Sequence, residues 1–432
     1  MISRLLERAR RRAETGDLAL KTDETLTLSF DTAGLASAEV SATQGVNLRV
    51  VVAGRAGCAG STGDDPEALL EAAMASARLG EPAGFVLPRV AEPGRVVTHY
   101  PRAAAASLND LALLGHLVRD RLAGEGAQVR VVVERSVGSV RVANTRGLDA
   151  GYDVSRVTIA AQVAVQAGGR LLRLSDQLSS GDVPDLPSLE RMVDGLLRRL
   201  RWAARPQESP RGHAPVCFAG DAALALLLPL QQALVGKAAL YGLSPLGGRR
   251  GHRALGEQFT LSDEPLLDGR PGSRPIDDEG TPSRSTMLIR HGTVETLVYD
   301  LETAARAGVA PTGHGRRTVF GKPHAAFSNL VVAPGALSPQ GVLEAVGDGL
   351  LVESFVGPGQ GSVAGGTFSL PCAVAWRVRG GEVTGVAEEL TLAGNAYELL
   401  NRLRGLGTEH RWVGSLGVPP IVVEGVSVLG PS

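Results

Sequence analysis

The chain has 432 residues, 44% of them hydrophobic and 21% charged, which is enough for two domains of about 200 residues each. Its 44 basic and 45 acidic side chains leave a formal net charge of -1, and nothing in that balance asks for nucleic acid or an anionic membrane as partner. Three widely separated cysteines, Cys58, Cys217 and Cys372, exclude a disulfide framework and a cysteine-rich zinc module, and point to the reducing cytoplasm.

The first sixteen residues carry five arginines and two glutamates around Ile2, Leu5, Leu6 and Ala9. This spacing predicts an amphipathic helix and lacks the apolar core of a secretory signal. Short Val-, Thr- and Leu-rich runs follow at Thr25–Phe30, Leu35–Ala42, Val46–Val52 and Ala56–Thr62, the pattern of an antiparallel meander. Asp64 or Asp65 caps a predicted helix over Pro66–Leu79. Four prolines make Glu81–Arg102 an irregular crossing. The pattern then recurs: a helix over Ser107–Leu122, strands over Val129–Asn144, Val154–Gln166 and Arg170–Ser180, and a helix over Leu186–Trp202. Two units of helix, strands and helix sharing one antiparallel sheet are expected, an α+β domain over residues 1–208.

The Pro-rich stretch Ala204–Pro215 reads as a linker, and a second domain is expected over residues 209–432. It opens with one strongly apolar helix, Asp221–Tyr241, whose apolar run Ala222–Leu230 is far short of the about 20 residues that cross a bilayer. A Gly/Pro/Asp/Arg-rich stretch, Gly242–Ser285, separates it from two hairpins. These turn at His291-Gly292 (Thr286–Arg290 with Thr293–Asp300) and at Gly380-Gly381 (Ala373–Arg379 with Glu382–Leu392). Strands at Leu330–Val332, Leu350–Val356 and Ile421–Val428 and a small helix at Asn395–Leu403 complete a mostly β, barrel-like domain. An exposed apolar edge in it would need covering, most simply by another subunit.

Several chemistries find no residues. None of the eight histidines is followed by Glu, and the closest pair, His314 and His324, lie ten apart, so no helical two-histidine zinc clamp is present. Neither Gly236-Lys237 nor Gly321-Lys322 has the glycine a P-loop needs. Gly357–Ser362 ends in Ser where a dinucleotide fingerprint has Gly, and no GxSxG elbow occurs. Three features remain. Ile276-Asp277-Asp278-Glu279-Gly280 packs three carboxylates before a glycine, and Arg270 and Arg274 nearby favour a solvated, ion-paired turn over a cation site. Thr312-Gly313-His314-Gly315-Arg316-Arg317 suits binding of a carboxylate or peptide terminus, or is simply an exposed loop. Cys372, in an apolar strand, reads as a buried hydrophobe.

The segments Gly45–Val52 with Gly57–Thr62, Ile276–Gly280, Pro311–His314, Ser328–Gly335, Gly349–Glu353, Phe368–Leu370 and Glu388–Asn395 together resemble the TldD/PmbA family along nearly the whole chain. The resemblance implies a two-domain protein of a peptidase system whose members were once called modulators of DNA gyrase. In that family the TldD-like subunit carries HExxxH on the first helix of the second domain and a cysteine ligand near the C-terminus. The TldE- or PmbA-like subunit lacks both and pairs with it. Here the corresponding helix, Asp221–Gln232, holds neither His nor Glu, and His410–Gly417 holds no Cys. The expectation is therefore a chain without a catalytic residue or a bound cofactor, whose TldD-like partner would hold the zinc of the heterodimer. It would help to bind and enclose unfolded or modified peptides. Asp278, Glu279, Thr312, His314, Arg316 and Asn329 are the candidate contacts to substrate or partner. The alternative is a self-associating peptide-binding or scaffold homodimer. Direct action on DNA lacks both a basic cluster and a binding motif.

Overall fold

In β1 (Thr15–Phe30) the side chains of Leu26, Leu28 and Phe30 alternate into the core while the residues between them stay partly solvated, the period of two that a half-buried strand requires. The computed structural model describes residues 2–89, 92–123, 127–167, 170–357, 363–387 and 389–430. In chain order the first half consists of α1 (Ile2–Arg12), β1, β2 (Leu35–Val52), β3 (Arg55–Ser61), α2 (Pro66–Arg78), α3 (Pro101–Ala105), α4 (Leu108–Leu122), β4 (Gln128–Asn144), β5 (Asp149–Ala167), β6 (Arg170–Ser180) and α5 (Leu186–Ala203). The six strands form one antiparallel sheet in the order β3-β2-β1-β4-β5-β6. The two expected units of helix, strands and helix therefore share a sheet and meet along β1 and β4. Helices α1 and α2 bury Leu5, Leu6, Leu70 and Ala73 against Leu18, Leu48 and Val50. Helices α4 and α5 bury Leu111, Val118, Leu189 and Leu196 against Val131, Val133 and Ile159.

Caps set the helix starts. Asp65 accepts hydrogen bonds from the Glu67 and Ala68 N–H groups with Pro66 at the first turn, and Ser107 forms a capping box with Asp110. The strands run longer than the sequence pattern predicts: β1 starts at Thr15, and β2 continues through Gly45 rather than breaking there. Gly45 is not a turn residue. A Cβ there would lie 2.3 Å from a Val319 methyl, and one on Gly60 would lie 1.7 Å from the Val319 carbonyl oxygen. Both glycines admit the second domain onto the sheet.

The Pro-rich segment expected as a linker carries strand structure. Pro206–Gln207 pairs with 386–387, and Gly212–Phe218 is paired on both sides. Its partners lie more than a hundred residues away, where no local signal can show them. Five strands, Gly349–Phe355, Gly212–Phe218, Ile421–Leu429, Thr391–Asn395 and Thr367–Arg379, are hydrogen-bonded in that order, and the last returns to the first to close a barrel. Its apolar core takes in α6 (Leu224–Ala233), with Leu226, Leu227 and Leu230 beside Val216, Val352 and Val423. The single apolar helix expected over Asp221–Tyr241 is split. A 3-10 turn (Gly220–Ala223) leads into α6, and a break at Leu234–Val235 precedes α7 (Gly236–Leu240). The Tyr299 ring packs where a Gly236 side chain would begin, and Val235 bridges to Val298.

A second, mixed sheet runs in the order 293–294, 286–290, 261–263, 330–332, 416–418, 411–413. Of the two expected hairpins, the second forms with 376–379 against 382–386, its return strand Glu382–Ala387 falling short of the expected Leu392, whereas only Thr293–Val294 pairs in the first. Cys372 is half-buried against the barrel core rather than fully buried. The Gly357–Ser362 loop and the Glu388–Asn395 segment fall partly outside the described residues, at 358–362 and at 388. Among the described residues no helix is long and apolar enough to cross a membrane.

Because the Gly60 position meets backbone rather than a movable side chain, Gly60→Ala should destabilise the protein by about 1–3 kcal/mol. A thermal or urea unfolding transition unchanged from the parent would contradict the close packing described.

Candidate functional site

The acidic triplet is not a solvated turn. Asp277, Asp278 and Glu279 are fully buried, at 1%, 0% and 0% exposure, between the second domain and strands β1 and β2. Arg49 holds Asp17 through two 2.9 Å bonds and reaches Glu279 Oε1 at 2.7 Å. Arg317 of the second domain donates to the same Asp17 carboxylate. Lys21 Nζ lies 2.6 Å from Asp278 Oδ2, which also accepts the Arg317 N–H at 2.8 Å. Asp277 accepts backbone N–H groups of Glu279, Thr281 and Gly315 at 2.8–3.0 Å. Asn47 donates to the Val319 and Gly321 carbonyls, both at 2.9 Å. Three carboxylates, three cations and one amide thus tie the domains together, all of them shut away from solvent except the partly exposed Lys21.

The loop at 312–317 is not exposed either, apart from Arg316. His314 Nε2 lies 3.0 Å from Asp263 Oδ2, and its Nδ1 faces Thr312 Oγ1 at 2.9 Å. Asn329 donates to the Glu264 carbonyl and Ser273 Oγ, both at 2.8 Å, and accepts the Gly272 N–H at 3.0 Å. Of the six residues expected to meet substrate or partner, the structure brings Asp278 and Glu279 into the interdomain network. Thr312 and His314 lie in an adjoining buried cluster, and Asn329 fixes loops of the second domain. Only Arg316 faces solvent, 3.9 Å from Asp278. The residues overlooked in the sequence are Asp17, Lys21, Asn47 and Arg49. Asn47 and Arg49 did carry a signal, being polar residues inside the apolar run Val46–Val52.

Burial pushes the Asp277 and Glu279 carboxyls upward. For Glu279 it outweighs the Arg49 guanidinium, with the neighbouring Asp277 and Asp300 carboxylates adding to the rise. Asp278 moves the other way, because Lys21 and the nearby guanidiniums outweigh its burial.

A wide concave surface lies at the other end of the sheet. Strand β6 and helix α5 face the start of the 3-10 turn, residues 337–343 and residues 407–412 across a cleft of about 750 Å³. A 460 Å³ pocket continues it and shares Asp176, Gln177, Arg411 and Trp412 with it, while adding Asp221 and Leu224. Polar contacts cross the cleft. Arg411 donates to Asp176 at 2.9 Å and Arg199 to Glu353 at 2.8 Å, while Arg199 also holds Asp176 on its own wall at 2.5 Å. Arg411 packs over the start of the 3-10 turn, its Nη1 3.3 Å from where a Gly220 Cβ would stand.

Residues 211–430 match the family profile described as the PmbA/TldA metallopeptidase C-terminal domain. The chain belongs to the PmbA/TldD family. A metalloprotease of Methanothermobacter thermautotrophicus is 31% identical over 172 residues, 40% of this chain and 37% of the relative. Metalloprotease PmbA of Escherichia coli O157:H7 is 25% identical over 266 residues, 62% of this chain and 57% of its own length. These alignments span from about a third to somewhat over half of the curated relatives' lengths. The crystal structure of TldE from Thermococcus kodakarensis superposes with a TM-score of 0.88 over 99% of this chain and 100% of that one, at 24% identity, a likeness of fold.

Within this PmbA/TldD chain, the helix and the C-terminal segment that the resemblance associates with zinc do meet, at the smaller pocket. The donor set there does not fit the metal. Leu224 and Arg411 occupy the facing positions, a guanidinium offers no lone pair, and Asp176 is already held by two guanidiniums. Zinc needs three or four imidazole, thiolate or carboxylate donors, and among the described residues no three such groups are clustered.

Removing one partner of a buried pair strands the other's charge, so Arg49→Ala should cost about 3–5 kcal/mol in chemical denaturation. The Glu279 shift gives a signed pH dependence. Its pKa is raised when folded, so its contribution is complete below the ordinary value of 4.5 and is lost as pH rises through about 7. Over that window the stability of Glu279→Gln should fall less, as pH rises, than that of the parent. Parallel pH–stability profiles for the two proteins would contradict it.

Proposed function

We propose that this chain is the non-catalytic, TldE/PmbA-like subunit of a zinc metallopeptidase pair. It supplies one wall of a peptide-binding chamber while a TldD-like partner supplies the metal and the general base. The observation that carries this reading is the Arg411–Asp176–Arg199 network at the junction of helix start and C-terminal segment. Guanidiniums there can hold anions and carbonyl oxygens, but they cannot lower the pKa of a bound water as a metal does.

Two further features support it. Among the described residues strand β6 is hydrogen-bonded to a neighbouring strand on one side only, and its residues 176–179 line the cleft. A free strand edge beside a largely apolar cleft suits an extended, unfolded peptide, which adds as a further strand through main-chain hydrogen bonds. At the opposite end of the sheet, β3 pairs with β2 only from Val46 onward. The outer edge of β2 over residues 35–45 is thus left open, and Val40 is 70% exposed. A long unpaired edge of this kind calls for covering by another chain. It favours a dimer of either sort, with a TldD-like relative or with a second copy.

The test is reconstitution. Purified alone, the chain should bind no stoichiometric zinc and leave unfolded peptides intact. Mixed with an HExxxH-bearing relative, it should form a heterodimer by mass and peptidase activity should appear. One zinc per chain together with peptide cleavage by the isolated protein would refute the proposal. A stable homodimer that ignores the relative would move the assignment to the self-associating binding protein.

A further inference from the structure

The cleft is lined by five arginines, Arg191, Arg198, Arg199, Arg270 and Arg411, against three carboxylates, Asp176, Glu353 and Glu409, although the chain as a whole carries a net charge of -1. Arg199 and Arg411 are consumed by Asp176 and Glu353. Arg198 and Arg270 have no ion pair among the described residues. Each instead lies over an indole. The Arg270 guanidinium carbon sits 4.2 Å from the Trp412 ring centroid, and that of Arg198 sits 5.6 Å from Trp202. Two of the chain's three tryptophans are therefore used to orient unpaired cations at the cleft. The Arg270 guanidinium is half-buried, and desolvation alone pulls its pKa down, the state of a charge withdrawn from water without a counterion.

Given that the cleft receives peptide, as proposed above, we infer that it selects extended peptides bearing acidic side chains, whose carboxylates pair with Arg270 and Arg198 while apolar side chains pack on the walls between. A guanidinium that lies over an indole and has no ion pair of its own can turn its edge donors to a carboxylate, which suits bidentate capture. Two separate cationic points fit two spaced side-chain carboxylates better than the single carboxylate of a C-terminus. A continuous phosphate backbone fits less well, because Asp176, Glu353 and Glu409 stand on the same walls and would repel it.

The test is fluorescence anisotropy on the full-length chain with short unfolded peptides, acetylated and amidated at their ends. The peptides differ only at two spaced positions, filled by Glu, Gln or Lys. The Glu peptide should bind about tenfold more tightly than the Gln peptide, as expected for charge-assisted hydrogen bonds, and the Lys peptide most weakly. Screening should erase the preference at about 1 M salt. In the double variant Arg198→Gln/Arg270→Gln the Glu and Gln peptides should bind within about twofold of each other, with the thermal transition showing that the fold is kept. Equal binding of Glu and Gln peptides by the parent chain would overturn this inference and leave the peptide-binding reading intact. Failure of all three peptides to bind would overturn both. Tighter binding of a single-stranded oligonucleotide than of the Glu peptide would likewise overturn it, assigning the arginines to phosphate.

Discussion

The ionic network that joins β1 and β2 to the second domain is the constraint on which the rest of the molecule depends. Asp17 is shared by Arg49 from its own sheet and Arg317 from the other domain, and Glu279 returns the contact to Arg49. Every one of these side chains is at least 98% shielded from solvent. Such a network adds little net stability over an apolar core of the same shape, because each charge first loses its water. Its effect lies in what it forbids. A slip of the second domain by one strand register would leave charges buried and unpaired, and the glycines at 45 and 60 leave no room for any other approach of Val319. The relative placement of the two domains is fixed at this end of the sheet, and the cleft at the β6 end takes its width from that placement. A second, apolar contact reinforces it where Trp202 of α5 meets Trp376 of the barrel edge to face, with ring centroids 5.4 Å apart.

The two ends of one sheet therefore meet the second domain in opposite ways. At β1 and β2 the surfaces close completely and the charges cancel. At β6 they stay apart, bridged by Arg411 to Asp176 and by Arg199 to Glu353, and an excess of guanidinium remains. A closed ionic joint at one end and an open, cationic, largely apolar cleft at the other are the features on which the proposed holding of an extended chain rests. The same guanidiniums that suit holding are unsuited to bond cleavage. A cation with no lone pair can orient a carbonyl or carboxylate, but it cannot generate a hydroxide near neutral pH.

What the sequence made legible follows from the range of the interactions. Capping is local, so Asp65 before Pro66 and Ser107 before Leu108 place α2 and α4 to within a residue. Hydrophobic alternation is local too, and the repeat of helix, strands and helix led to a shared sheet. The acidic triplet 277–279 reads as a solvated turn because its partners are remote: Lys21 and Asp278 stand 257 residues apart. From composition alone, three adjacent acids near arginines describe a solvated turn. Only the arrival of β1 and β2 turns them into a buried joint. The same remoteness disguised Gly45 as a break and Gly212–Phe218 as part of a linker. The candidate site shifted for a related reason. Of the residues that motif matching singled out, all but Arg316 are buried, whereas Arg198, Arg270 and Trp412 belong to no motif and come together as a group only when the cleft exists.

Hydrogen–deuterium exchange of the chain with and without an excess of unfolded peptide probes the cleft most directly. The account predicts slowed exchange confined to β6 around residues 176–179 and to residues 407–413, with the buried joint at 277–279 protected equally in both states. Protection centred on the 312–317 loop, or opening of the 277–279 joint on peptide addition, would contradict it.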